Sequence, residues 1–393
     1  MNNYKMPKMV WALGWVSLFT DWSTHMVTVL FPLYLQSVMQ VPISSIGWIE
    51  GIAEGLSGVM KWLGGRAVDR ANRHKKWLLW GYGISNFSRM LLLIWGSALS
   101  VLSVRLLDRF GKGLRVAPRD ALIALHADPK HRGAVFGFRR MMDTIGATIG
   151  PVCASIVMYL TQQNFGWVFG LAMIPGILAV IVLLLYVNPQ KEIVPNLSAS
   201  EHLQGQVQTE IQLGKPFFIF TAVMSVFSIF NVSDAFLSLR AADVNISFAF
   251  VPLLFMLVQG VSALFSIPAG KLADRIGKHY VICIGLFVYA IVYAIIGNVN
   301  HPAIIILCFA GYGVFYACTD GVQKAYITDM VPEGHRGRAM GIYQAWTGIA
   351  LLPASIMGGY IWQIFGSRIM FSGCAVVAAL TAIVVGMKWG ARE

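Results

Sequence analysis

Apolar runs closed off by short charged or Pro/Gly-rich stretches recur along almost the whole chain. They fall near 9–36, 43–64, 77–97, 99–125, 133–160, 166–187, 216–240, 247–268, 280–298, 302–328, 338–362 and 368–388. Each is long enough to cross the hydrocarbon of a bilayer, which takes roughly 20 mostly apolar residues in a helix. A helix also satisfies its own backbone groups where no water can. The pattern therefore predicts an all-α membrane protein of twelve spanning helices, with charge interrupting the fourth and tenth runs. Residues 188–215 break the series, being polar, mixed in charge and rich in Gln and Ser. They read as a linker between a six-helix unit over 1–187 and a second over 216–393.

Composition sharpens this picture. Of 393 residues, 57% are apolar and 12% charged, against about 25% charged in an ordinary soluble domain. The formal charge of +12 reflects basic residues that flank apolar runs, so it speaks for the lipid bilayer and against nucleic acid. With both termini placed in the cytoplasm, the inside loops hold Arg66, Arg70, Arg73, Lys75 and Lys76; then Lys130 and Arg132; then Lys271, Arg275 and Lys278; then Arg336 and Arg338. The alternate loops carry no Lys or Arg, Arg240 and Arg368 standing at their edges. That asymmetry predicts a multi-pass protein of a bacterial-type inner (plasma) membrane. The first run is too long for a signal peptide, carries Asp21 and His25, and has no small-residue cleavage pattern, so it is expected to stay as the first span. The five cysteines lie in apolar runs without metal-ligand spacing and read as small buried hydrophobes.

Two blocks repeat at nearly one offset. Gly65-Arg66-Ala67-Val68-Asp69-Arg70 recurs as Gly270-Lys271-Leu272-Ala273-Asp274-Arg275, and His131-Arg132-Gly133 recurs as His335-Arg336-Gly337. A duplicated six-span unit accounts for both. With these loops the sequence resembles the major facilitator superfamily along essentially its whole length. The family's loop signature G-x-x-x-D-R-x-G-R-[KR] is matched from Gly65 to Lys75, with Asn72 where Gly is usual, and from Gly270 to Lys278 with Gly277 in place. The resemblance implies a gating role for Asp69, Arg70, Asp274 and Arg275, alternating access between two bundles, and no cofactor. Arg105 to Gly111 resembles the family's R-x-x-Q-G-x-G pattern, with Asp108 for Gln, which implies a place in proton coupling for Arg105. Gly146 to Pro151 resembles the core of the G-x-x-x-G-P motif, commonest in proton-driven exporters.

Charges inside the spans carry the candidate chemistry, because each costs about 2.5–3.5 kcal/mol at mid-bilayer and needs a partner or a task. Asp21 and His25 share one helix face, as do Glu50 and Glu54. Two carboxylates so close should not both stay ionised. These four, with Arg105 and Asp108, are the candidates for proton coupling. Arg105, Asp108, Lys112, Arg115 and Arg119 form a continuous stripe on the fourth span. Arg139 and Asp143 are four apart and suited to pair, leaving Arg140 for the cavity; Asp320 and Lys324 can pair likewise. Candidate solute contacts are Arg89, Arg109, Arg139, Arg140, Asp143, Asp234, Gln259, Tyr316, Asp320, Lys324, Tyr343 and Gln344. Tyr343 and Gln344 stand where Arg139 and Arg140 stand in the first unit, so a charged half faces a neutral one.

Guanidinium forks suit carboxylates and phosphates. The expected solute is thus a small anionic or carboxylate-bearing molecule: an organic acid, an amino acid or a carboxylate siderophore. Proton-driven drug efflux is the alternative. No phosphate loop, HExxH, GxSxG or CxxCH pattern occurs, so neither an ATP-driven machine nor an enzyme is expected. The expected partners are the small solute, protons and lipid, with the chain acting as a monomer.

Overall fold

The computed structural model describes residues 6–70, 74–94, 98–126, 132–187, 213–332 and 336–390. Among these there are helices and no strands. The helices are α1 (Lys8–Thr28), α2 (Phe31–Ser37), α3 (Ile43–Arg70), α4 (His74–Ile94), α5 (Ala98–His126), α6 (Arg132–Leu160) and α7 (Phe165–Tyr186). They continue as α8 (Lys215–Ile229), α9 (Asp234–Asp243), α10 (Val251–Ile276), α11 (Lys278–Asn298), α12 (Pro302–Asp329), α13 (Arg336–Phe365) and α14 (Ser367–Gly390). Eight spans, from α6 onward with α8 and α9 counted as one, are long and apolar enough to cross a bilayer by composition alone. The other four, with α6, carry the intramembrane charges of the first unit. The linker expected over 188–215 lies outside the described residues up to 212.

Two expected helices are each broken. The first run becomes α1 and α2, which restarts at Phe31 with Pro32 in its first turn, where a missing N–H is harmless. The seventh run becomes α8 and α9, and residues 230–233 between them are not helical. Ser233 caps α9, its hydroxyl accepting from the Ala235 N–H. Continuous helices were expected because hydropathy averages over a short polar break.

The signature residues also sit differently from expectation. Asp69 and Arg70 close α3, and Asp274 and Arg275 lie in the last turn of α10, so both pairs belong to helix ends rather than loops. Gly277, at φ +99°, ends α10, a conformation that favours glycine. The side chains of Asp69 and Arg70 lie outside the described residues. Asp274 and Arg275 are exposed and form no ion pair with another described residue.

Helices α1, α6 and α7 pack together, as do α3, α4 and α5; in the second half α10 packs on α12, and α11 on α12 and α14. Glycines make α1 and α6 close neighbours: a Cβ on Gly150 would come within 2.6 Å of the Trp22 carbonyl. The halves meet mainly through α3 against α13, α6 against α10 and α2 against α9. These contacts concentrate at the end bearing the uncharged loops. There the Ser44 N–H donates to Gln363 (3.0 Å), Trp48 to Tyr360 (3.3 Å) and Gln163 to Ser247 (3.4 Å). Ser155 donates to the Ala249 carbonyl, and the Phe165 and Phe248 rings lie 6.0 Å apart. The neutral end is closed. Toward the basic end the halves draw apart, and Arg140 and Asp320 face each other across the gap at 3.8 Å, both exposed.

Candidate functional site

A cavity of about 270 Å³ lies between the halves where the two broken spans meet. His25, Glu50, Glu54, Arg105 and Arg109 line it from the first half, and Asn231, Ser233, Asp234, Gln259, Tyr312 and Tyr316 from the second. A wider vestibule of about 390 Å³ adjoins it through Asn231, Tyr316 and Leu351. Asp320, Gln323, Lys324, Tyr343 and Gln344 line that vestibule toward the basic end.

The first-half wall is built from two arginine–glutamate pairs. Arg105 donates from Nε to Glu50 Oε1 (3.0 Å) and from Nη2 to Glu50 Oε2 (2.8 Å). This is a fork on a carboxylate that is 1% exposed. The Phe31 ring, at the start of α2, lies 5.2 Å from the Arg105 guanidinium, so the break in the first span supplies a cation–π cover. One turn along, Arg109 pairs with Glu54 at 2.5 Å. The repulsion expected between Glu50 and Glu54 is thereby offset, because each carboxylate has its own guanidinium from α5. Arg109 Nε is buried and has no hydrogen-bond partner among the described residues.

The second-half wall is aromatic and acidic. Tyr312 donates to Asp234 Oδ1 (2.8 Å), and the Tyr312 and Tyr316 hydroxyls lie 3.2 Å apart. Tyr289 donates to Asn231 (3.1 Å) and stacks on Tyr293 with centroids 3.8 Å apart. Asp234 lies deep in the molecule with its surface open to the cavity. Ser233 bridges the halves by donating to Glu50 at 3.4 Å.

Other expected site residues lie elsewhere. Arg89 and Asp108 form a sealed pair (2.9 Å) inside the first half. Arg89 also donates to Ser23, Thr24 (2.7 Å) and Ser85 (3.3 Å), and Ser85 donates to Asp108. Arg139 bonds Asp143 (2.9 Å) and Asp120 (3.3 Å), and Arg119 bonds Asp120 (3.1 Å), a cluster outside both cavities. Asp21 is half-buried one turn from His25 and does not line the cavity; no hydrogen bond joins the two. Arg140 is 71% exposed at the vestibule. Lys324 pairs with Asp320 at 2.6 Å, and Tyr343 donates to Gln323 at 2.7 Å. Of the basic stripe on α5, Arg105, Asp108, Arg115 and Arg119 are buried in the bundle, Arg115 lying 4.6 Å over the Tyr82 ring. It is Arg109, off the stripe, that joins Arg105 at the cavity.

Asn231 and Ser233 escaped the sequence reading. Their signal was the polar tripeptide Asn231-Val232-Ser233 ahead of Asp234 in an otherwise apolar run, a helix N-terminus pattern inside a span. Among the described residues no group of three His, Cys, Asp or Glu side chains could hold a metal ion. What the cavity can do is exchange charges: a solute anion can displace a glutamate from its arginine, and the displaced acid can take a proton.

Comparison with known proteins places this geometry. The profile described as Major Facilitator Superfamily matches residues 13–240 and 218–392. A protein of Methanocaldococcus jannaschii described as an uncharacterised MFS-type transporter is 32% identical over 390 residues, covering 98% of this chain and 96% of its own. The cis,cis-muconate transport protein of Acinetobacter baylyi is 24% identical over 297 residues, 70% of each chain. A crystal structure of a peptide transporter of the POT type superposes with a TM-score of 0.80 at 14% identity, over 98% of this chain and 95% of that one.

Proposed function

Because the chain belongs to the major facilitator superfamily, we propose that it carries a small carboxylate-bearing organic solute by alternating access, coupled to proton movement. One observation carries the reading. Arg109 lines the cavity, and its acid partner Glu54 faces the same space. A carboxylate arriving there competes with Glu54 for the Arg109 guanidinium fork. Protonation of Glu54 removes the competitor, so proton and solute favour each other's binding. Arg105 and Glu50 form a second, more enclosed pair of the same kind. His25 lines the same cavity. The relative named for muconate transport is consistent with a carboxylate-bearing solute.

The closed neutral end and the vestibule at the basic end describe one side of the cycle. The positive-inside asymmetry supports a plasma-membrane orientation with both termini cytoplasmic. Residues 1–187 and 216–393 act as the two rocking units joined by 188–215, with Asp274 and Arg275, and by repeat Asp69 and Arg70, at the gating ends.

Proteoliposomes under an imposed pH gradient test the proposal. Wild type should accumulate carboxylates when the gradient is applied. Glu54→Gln should keep solute counterflow yet lose gradient-driven accumulation, and Arg109→Ala should lose both. Gradient-driven movement confined to lipophilic cations would replace this reading by drug efflux, the alternative that Asp234 and the tyrosine wall favour.

A further inference from the structure

The cavity's charges do not balance. Its lining holds two arginines and three carboxylates, Glu50, Glu54 and Asp234, with His25 beside them. Glu50 and Glu54 each have a guanidinium, and Asp320 in the vestibule has Lys324. Asp234 makes no ion pair with a described residue. Its support is of another kind: it is the first residue of α9, where the helix dipole stabilises a negative charge, and Tyr312 donates to it. Both features give the carboxylate polar support while adding no positive charge. The cavity thus carries one carboxyl group with no cation partner among the described residues, on the wall opposite the arginines.

We propose that Asp234 is an ammonium subsite, so that the solute is a zwitterion bearing an amino group as well as a carboxylate. This rests on the preceding reading, in which the arginine wall takes the carboxylate. The two walls then divide the solute. Its anionic end meets Arg109 and Arg105; its cationic end meets Asp234, with Tyr312 and Tyr316 around it as hydroxyl acceptors and ring faces. Ser233, which reaches Glu50 from the second half, keeps the acidic and basic walls within one small solute's length. A simple dianion would add its charge to a space already in excess of acid, whereas an amino acid's ammonium cancels the excess. The solute also bridges the halves, since Arg109 belongs to one and Asp234 to the other. Binding therefore draws the two walls together.

Proteoliposomes loaded with a pH-sensitive dye provide the test. Monocarboxylates, dicarboxylates, ω-amino acids and diamines of increasing chain length are compared for solute-driven proton movement, with thermal stabilisation of the purified protein as a binding readout. The proposal expects an amino acid to be preferred over the monocarboxylate and dicarboxylate of matching length. Asp234→Asn should weaken that amino acid on the order of tenfold or more and so erase its preference over the monocarboxylate. A wild type that handles plain carboxylates at least as well as amino acids would overturn the ammonium subsite and leave the carboxylate reading standing. So would an Asp234→Asn variant that keeps the amino-acid preference and loses only proton movement. Response to diamines alone would overturn both. The wild-type comparison stands even if the variant fails to fold.

Discussion

Two arginine–acid pairs that use adjacent residues of α5, Asp108 and Arg109, have opposite uses. Arg89 and Asp108 are sealed among Ser23, Thr24 and Ser85, away from the cavity, and both terminal guanidinium nitrogens find acceptors there. Breaking such a pair leaves a naked charge in a dry place. Arg89→Ala should therefore destabilise the protein by about 3–5 kcal/mol, seen as a large fall in the unfolding temperature of the purified protein. An unfolding temperature within a degree or two of wild type would contradict the sealed-pair account. Glu54→Gln, facing the cavity, should change unfolding little and coupling greatly. The sequence made clear that these residues needed partners, and it named the partners correctly where both lie on one helix, as with Arg139–Asp143 and Asp320–Lys324. Pairs between helices, Glu50 with Arg105 and Arg89 with Asp108, depend on rotation about each axis. Hydropathy cannot supply that angle.

The elements show the same division. Run lengths matched most spans to within a few residues, because bilayer thickness sets helix length, but α3 and α10 continue six and eight residues past the expected ends at 64 and 268. The breaks at 29–30 and 230–233 were missed, though they build the cavity: one brings Phe31 over Arg105, the other exposes Asn231, Ser233 and Asp234. A second feature of element scale is the seam between α3 and α13. A Cβ on Gly51 would come within 2.7 Å of the Leu352 carbonyl, and one on Gly359 within 2.9 Å of the Ile43 carbonyl. Small residues allow this close helix approach, and the seam holds the neutral end shut. Gly51→Leu should force α3 from α13 and favour the state open at that end. A cysteine placed at Ser44, beside Gln363 in the closed seam, should then react with a maleimide several times faster than in the Gly51 parent. An unchanged rate would mean the seam does not hold the gate.

At the scale of the molecule, two halves close at one end enclose charges that neither could bury alone. The same charges explain why the first four spans fall short of the others in hydropathy: their polar faces turn to the cavity and to one another. Alternating access requires the ends to exchange roles around that cavity. Spin labels on cysteines replacing Gln163 and Ser247 report the closed neutral end, where the native side chains hydrogen-bond. Labels at Gly137 and Gly321, exposed positions where a Cβ meets no neighbour within 4 Å, report the basic end. All five native cysteines are free and would be replaced first. The distances should be measured in liposomes with and without transported solute at low and neutral pH. The account predicts that the neutral-end distance lengthens in the same conditions that shorten the basic-end distance. Distances that stay fixed, or that lengthen together, would contradict it.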